Sequence, residues 1–326
     1  MKRILTAPLM FLITAGLAMA QQPVLWRDPG AVEQLDFAGG PGGRRQAPKA
    51  PFRFIAVDTT GTQPKVRVSD ANRRRWTVKF GEEVKAETFA SRLAWAVGYF
   101  VEPVYFVRNG QILGIRDIGK AEKHITPKGY FRDARFELLQ TSLGQFSKEH
   151  DWTWKKNPFL GSPELDGLKM MVMLTSNYDN KDARDEGSNT AIFTRGSGAN
   201  QEWIFAVSDW GSTMGKWGNF LVWNRWDCEG YLDQSAGFVK GVEEGEVQFG
   251  FDGKHDDKFK DDITPDDVRW LMQYLGRVTD AQIRTGLEVS GATPAEVECY
   301  ARAVRMRINQ LAEVSRVETR TREITQ

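Results

Sequence analysis

Asp179 and Asn189 stand ten residues apart in a polar stretch, and the triplet Asp209-Trp210-Gly211 follows twenty residues after Asn189. Together they offer an acid, an amide oxygen and a second acid on two loops flanked by apolar, strand-like runs. Such a set suits holding a nucleotide's Mg²⁺ and orienting a hydroxyl for phosphoryl transfer. Asp179 would orient the acceptor hydroxyl or take its proton, and Lys181 would neutralise charge developing on the transferred group. Asn189 and Asp209 would bind the metal. Asp209 follows the apolar run Ile204-Phe205-Ala206-Val207, so its carboxylate leaves a strand end into a tight turn. The competing reading is a solvated loop and an ordinary turn aspartate, with Asp182, Asp185 and Glu186 crowding the same stretch.

Lys79 lies upstream in Trp76-Thr77-Val78-Lys79-Phe80, where strand alternation sets it on the face of Thr77 and opposite Val78. A flexible ammonium can reach the phosphates of a nucleotide while a carboxylate on the next helix holds it in place. Eight residues on, Glu87 falls in the second turn of a predicted helix and is the expected partner; Glu82 and Glu83 are placed in the preceding loop. The rival is an exposed strand lysine. Gly61, Thr62 and Lys65, in Gly61-Thr62-Gln63-Pro64-Lys65, form a candidate phosphate-wrapping loop, because glycine admits close backbone approach. The same residues also read as a plain hairpin turn.

These positions need elements to hold them. Phe54 to Asp58, Lys65 to Asp70 and Arg75 to Phe80 are short β-rich runs separated by turn residues, and read as three consecutive antiparallel strands. Val84 to Val97 has helical spacing, with Gly98 as its stop. A hairpin is expected next, Phe100 to Arg108 turning at Asn109-Gly110 into Gln111 to Arg116. From 117 to 158 the pattern fades, apart from a strand-like run at Arg135 to Leu139, and the stretch reads as an insertion. Leu165 to Leu174 reads as a buried helix, and Ala191 to Thr194 with Trp203 to Ser208 as a strand pair. Three closing helices begin at Thr264-Pro265-Asp266-Asp267, at Thr279 with Gln282, and at Thr293 with Glu296; the last two have capping-box spacing. The fold class expected is α+β in two lobes: a small antiparallel β lobe with one helix, over 52–116, and a larger, mainly helical lobe over 117–316.

Met1 to Ala20 has Lys2-Arg3, an uncharged apolar run from Ile4 to Leu17 and Ala18-Met19-Ala20, the form of a cleaved signal peptide, so export is expected. The apolar run is too short for a membrane span, and none follows. Residues 21–51, with Gly39-Gly40-Pro41-Gly42-Gly43, read as an extended or mobile lead-in, and the tail 317–326 is polar. Lys2 and Arg3 leave with the signal segment, so the formal net charge of +1 falls to about −1, which argues against nucleic acid as a partner. Arg73-Arg74-Arg75 reads as a solvated turn. Cys228 and Cys299 would meet an oxidising compartment, and a bridge between them would stabilise the fold by roughly 4 kcal/mol; sequence leaves their pairing open. The histidines His124, His150 and His255 have no second histidine at helical spacing, which argues against catalytic zinc, and no Gly-x-Ser-x-Gly elbow occurs.

Taken together, these residues resemble the atypical kinase fold of the HipA-like kinases and the spore-coat CotH-like secretory kinases. Gly61 to Lys65 resembles the HipA-type phosphate loop, Trp76 to Phe80 its lysine strand, and Glu87 with Ala90-Ser91-Arg92-Leu93-Ala94 its helix. Leu174-Thr175-Ser176-Asn177-Tyr178-Asp179 with Asn189, then Val207-Ser208-Asp209-Trp210-Gly211, is similar to the catalytic and metal loops of the CotH-like group. The match covers about Phe54 to Gly215, and the chain as a whole also resembles a family of exported bacterial proteins. The resemblance implies a kinase-like phosphotransferase using ATP and Mg²⁺ on a protein or small hydroxyl acceptor. One spacing departs: the metal-binding asparagine usually follows the aspartate by about five residues, so either the loop carries an insertion or Asp185 takes the acid's place. A catalytically silent binding module and a carbohydrate-active enzyme are the alternatives; the latter requires a carboxyl pair across an open groove, with Lys79 remote.

Overall fold

The computed structural model describes residues 22–139, 143–147, 151–218, 221–255 and 259–317. The expected signal segment, Met1–Ala20, His150 and the tail after 317 lie outside them. In chain order the elements are β1 (Gln22–Val24), β2 (Phe52–Asp58), β3 (Lys65–Ser69), β4 (Arg75–Phe80), α1 (Glu83–Ala96), β5 (Val104–Leu113) and β6 (Tyr130–Leu138). There follow β7 (Gln145–Ser147), α2 (Pro163–Leu174), β8 (Thr190–Arg195), β9 (Glu202–Val207), α3 (Cys228–Ser235), β10 (Val239–Glu243) and β11 (Glu246–Phe249). The chain closes with α4 (Pro265–Leu275), α5 (Asp280–Val289) and α6 (Pro294–Val314).

The first lobe is a closed barrel in the order β2-β3-β4-β6-β5, with α1 packed outside it. Alternation along β4 explains both surfaces. Trp76, Val78 and Phe80 turn inward with Val66, Val68, Phe131 and Phe136 and are almost fully buried, while Thr77 and Lys79 face the helix and the second lobe. The second lobe buries α2, α4, α5 and α6 around Leu168, Leu271, Ile283, Val304 and Leu311, and carries a sheet in the order β1-β9-β8-β7. This is the two-lobed α+β arrangement the sequence predicts, a small β lobe with one helix beside a larger, mainly helical lobe. All three closing helices start on capping boxes, from Thr264, Thr279 and Thr293.

Three expectations are corrected. No hairpin turns at Asn109-Gly110, because β5 runs straight through and pairs with β6, Asn109 opposite Arg132 and Gly110 opposite Phe131. Glycine is needed there for a different reason: the Phe131 ring lies where a Cβ on residue 110 would sit. The first lobe therefore does not end at 116, since β6 closes the barrel and the short 3₁₀ helix Gly119–Lys123 packs against it, so this part of 117–158 is barrel and not insertion. Nor is the lead-in loose. Leu25, Val32 and Phe37 enter the main core, and Trp26 Nε1 donates to the Val97 carbonyl, its ring seated against Gly98, whose φ of +97° ends α1. Sparse apolar residues between glycines and prolines suffice when each meets a preformed hydrophobic surface.

Cys228 at the start of α3 and Cys299 in α6 form a disulfide, with Cα atoms 6.2 Å apart. No helix among the described residues is long and apolar enough to cross a membrane.

Candidate active site

The register of the barrel gathers the charges. Lys65 lies opposite Lys79, and Lys79 opposite Arg135, so one row across β3, β4 and β6 carries three cations on the face that looks toward α1. Helix α1 answers with carboxylates one turn apart. Lys79 Nζ lies 2.6 Å from Glu83 Oε2 and 2.9 Å from Glu87 Oε2, and Arg135 pairs with Glu87 and Glu137. Lys79 and both glutamates are buried, so the lysine is no exposed strand residue.

Burial alone would lower the Lys79 pKa; the carboxylates of Glu87, Asp209 and Glu83 reverse that and hold it above its ordinary range, so it is a cation at neutral pH. Burial pushes Glu87 upward against the pull of Arg135 and Lys79. Glu83, set aside in the sequence as a loop residue, opens the helix and becomes a hub. Besides Lys79 it accepts from Gln63 Nε2 at 2.8 Å and pairs with Arg225 Nη1 at 2.5 Å.

Asp209 approaches from the second lobe. Its Oδ1 is 4.0 Å from Lys79 Nζ and accepts from the Gly211 amide at 2.7 Å, while two-fifths of the side chain stays exposed. Burial works to raise its pKa, but Lys79, the Gly211 amide, Arg135 and Lys181 outweigh it and keep the carboxylate below its ordinary range. Asn177 ties the two loops together by donating to the Asp209 carbonyl at 3.1 Å. The backbone continues the link, as Ser208 N donates to Asn189 O at 2.8 Å and the Asn189 side-chain amide donates to Asp179 O at 2.5 Å. Lys181 Nζ sits 3.4 Å from Asp179 Oδ2.

Lys79, Glu87 and Asp209 thus form one cluster, and Asp179, Lys181 and Asn189 adjoin it through the strand ends of β8 and β9. Asp185 is engaged elsewhere, pairing with Lys254 and His255, while Asp182 is fully buried on Trp154 N and Arg184. The extra residues between Asp179 and Asn189 are therefore an anchored loop. Gly61 (φ +67°), Thr62 and Lys65 lie at the exposed β2–β3 turn, where Lys65 Nζ contacts Thr60 Oγ1 at 3.2 Å. Gln63 connects that turn to Glu83.

The buried Arg307 of α6 holds the base of this loop. Its guanidinium donates to the carbonyls of Leu174 and Tyr231 and to the hydroxyls of Ser176 and Ser235, and lies over the Tyr231 ring. The end of α2 and the left-handed Ser176 (φ +58°) are fixed this way, and they launch Asn177-Tyr178-Asp179. Gln63, Glu83, Arg135, Arg225 and Arg307 escaped the sequence reading, since nothing in their local patterns shows which distant strand or helix they meet.

A hard divalent cation would find oxygen ligands here. One oxygen from each of Glu83, Glu87 and Asp209 lies within 4.8 Å of the others, and Asn177 Oδ1 is buried without a hydrogen-bond partner among the described residues. Asn189 spends its amide nitrogen on Asp179 and leaves Oδ1 as its remaining donor atom.

No family model matches the chain, and no curated protein matches it. Among solved structures it is similar to the Golgi casein kinase at 11% identity and a TM-score of 0.39, over 86% of this chain and 74% of that one. It is also similar to the Golgi casein kinase with Mn/ADP bound, at 11% identity and a TM-score of 0.37, over 82% and 74% of the two chains. At that distance neither likeness assigns a role to any residue of this chain, and neither bears on the resemblance to HipA-like and CotH-like kinases expected from the sequence.

Proposed function

We propose that the chain is a kinase-like phosphotransferase that binds ATP with Mg²⁺ between its lobes and passes a phosphoryl group to a protein or small hydroxyl acceptor. One observation carries this reading: the buried Lys79 of β4, held by Glu87 of α1, points at Asp209 of the opposite lobe. A structural lysine has no need of three carboxylates from two lobes, whereas a phosphate-binding lysine must be kept charged and aimed.

In this scheme Glu87 orients Lys79, and Lys79 meets the phosphates, with the Gly61 to Lys65 turn above them. Asp209 and Asn189 would hold the Mg²⁺, which when bound draws charge off the phosphate oxygens. Asp179 accepts the acceptor hydroxyl's hydrogen bond and takes its proton as the oxygen attacks phosphorus and the bond to the leaving diphosphate breaks. Lys181, beside Asp179, steadies the charge on the group in transit. The carbohydrate-active alternative loses ground, since it needs Lys79 remote from Asp209.

Export is part of the proposal, supported by the form of Met1–Ala20 and by the Cys228–Cys299 bond, which suits an oxidising compartment. The test is calorimetric melting with ATP or ADP and Mg²⁺ or Mn²⁺, followed by phosphate transfer to mixed protein and small hydroxyl acceptors. A melting temperature unmoved by every nucleotide and metal pair would end this reading; a shift without transfer would leave a nucleotide-binding module.

A further inference from the structure

Arg225 is placed with more care than a surface ion pair requires. It lies on the segment that leaves β9 for α3, between two tryptophans that are each locked. Trp223 stacks on Tyr178 with ring centres 5.0 Å apart, and Trp226 adopts a left-handed backbone (φ +49°) while its indole donates to Glu296 at 2.8 Å. Backbone bonds from Trp226 N to Thr213 O and from Asp227 N to Met214 O hold the return. The guanidinium is thereby thrust across the cleft, where Nη1 meets Glu83 and Nε and Nη2 contact the Tyr178 hydroxyl at 3.3 and 3.2 Å. Tyr178 is the residue before Asp179.

Glu83 also has Lys79 and Gln63, so it keeps two donors when Arg225 turns toward a ligand. Three donors from three elements, an ammonium, a guanidinium and an amide, converge on one carboxylate, and this is the donor set that recognises an anionic phosphate oxygen. A quarter of the Arg225 side chain is exposed. Arg225 also matters to the charge balance: with Lys181 acting on Asp209, it brings the cations facing Glu83, Glu87, Glu137 and Asp209 to four, beside Lys79 and Arg135, and without it a phosphate chain would meet an excess of negative charge.

We infer that Arg225 is a further phosphate-binding residue of the cleft, held ready by Glu83 and Tyr178 and recruited by the anionic end of a nucleotide. The inference rests on the proposed nucleotide site and adds to it a determinant of specificity: ligands are selected by their phosphates through a residue outside every motif that the sequence displays. Lys79 would serve one side of the phosphate chain and Arg225 the side nearer Asp179.

Titration calorimetry on the full chain tests this with ADP–Mg²⁺ and with adenosine. In R225Q the affinity for ADP–Mg²⁺ should fall about 10- to 100-fold, the loss expected for a charge-assisted contact, while adenosine binding changes by less than about threefold. R225K keeps a cation near Glu83 and with it the fold, and should show the same ordering at smaller size, about 3- to 10-fold for ADP–Mg²⁺. If both ligands weaken together, or if neither weakens, Arg225 is structural and the inference fails. Wild-type protein that binds no ADP–Mg²⁺ at all overturns the proposed function and this inference with it, whereas wild-type binding with an unaltered R225Q overturns the inference alone.

Discussion

Lys79→Met separates the structural from the ligand-binding part of the buried cluster. The ammonium touches Glu83 and Glu87, yet each keeps another cation when it is gone, Glu83 the guanidinium of Arg225 and Glu87 that of Arg135. The variant therefore escapes the full penalty of about 3–5 kcal/mol for stranding a buried charge, and a loss of about 1–3 kcal/mol is expected. Nucleotide binding should suffer more in proportion. At about 100 times its dissociation constant a ligand stabilises wild-type protein by about 2.7 kcal/mol, roughly 5–10 °C in melting temperature at 2–4 °C per kcal/mol. Removing a charge-assisted phosphate contact costs about 1.5–3 kcal/mol, a 10- to 150-fold weaker complex. At unchanged ligand concentration the stabilisation then shrinks to between about 0.3 and 1.3 kcal/mol, a shift of roughly 1–5 °C. Scanning calorimetry of both proteins, with and without ADP–Mg²⁺, reads both effects. A Lys79→Met protein that melts lower but keeps the whole ligand-induced shift would refute the role assigned to Lys79.

Asp209→Asn should leave melting without ligand within about 1 kcal/mol of wild type, because the side chain is partly exposed and keeps an acceptor for the Gly211 amide, while abolishing the dependence of nucleotide binding on Mg²⁺ or Mn²⁺. Arg307→Met removes the buried charge-assisted bonds to the carbonyls of Leu174 and Tyr231 and to the hydroxyls of Ser176 and Ser235, although Leu174 O keeps the Tyr231 hydroxyl and Tyr231 O the Ser235 hydroxyl; it should destabilise by about 3–5 kcal/mol in urea titrations, with any transfer activity falling further than stability explains because the Asp179 loop loses its support. Reducing the Cys228–Cys299 bond, or replacing both residues by serine, should lower stability by about 4 kcal/mol, read from the denaturant midpoint at constant slope. Burial raises Asp182, but its bonds from Arg184 and the Trp154 amide prevail and hold its pKa below the ordinary value. Its contribution to stability is thus complete above about pH 4 and is lost as pH falls through the lower folded value; Asp182→Asn should remove that part of the acid dependence, and an unchanged acid limb would count against the pairing.

Much of the small lobe was legible because its signals are local. Three short β-rich runs, a helix halted by glycine and a lysine on the outward phase of its strand follow from alternation and spacing alone. So do the closing helices, whose threonine caps bind backbone amides three residues away. Lys79 with Glu87 was readable from the same local logic, since eight residues span one strand end, a short turn and the first turn of the helix. The lead-in was misread because glycine and proline content reports flexibility in isolation, and the surfaces that bind Leu25, Val32 and Phe37 belong to distant parts of the chain. The Asn109-Gly110 turn was misread because an open glycine and one that admits the Phe131 ring look alike until β6 is paired.

The order of residue types along this chain determined which groups could do chemistry and the local elements that carry them, because hydrogen bonding and side-chain periodicity act over a few residues. Tertiary structure alone decided that Lys65, Lys79 and Arg135 share one face, that Glu83 and not only Glu87 receives the lysine, and that Arg225 reaches back across the cleft. Those pairings join residues up to 142 positions apart. They are set by strand register, barrel closure and the packing of one lobe on the other, which are properties of the whole buried core and of no segment by itself.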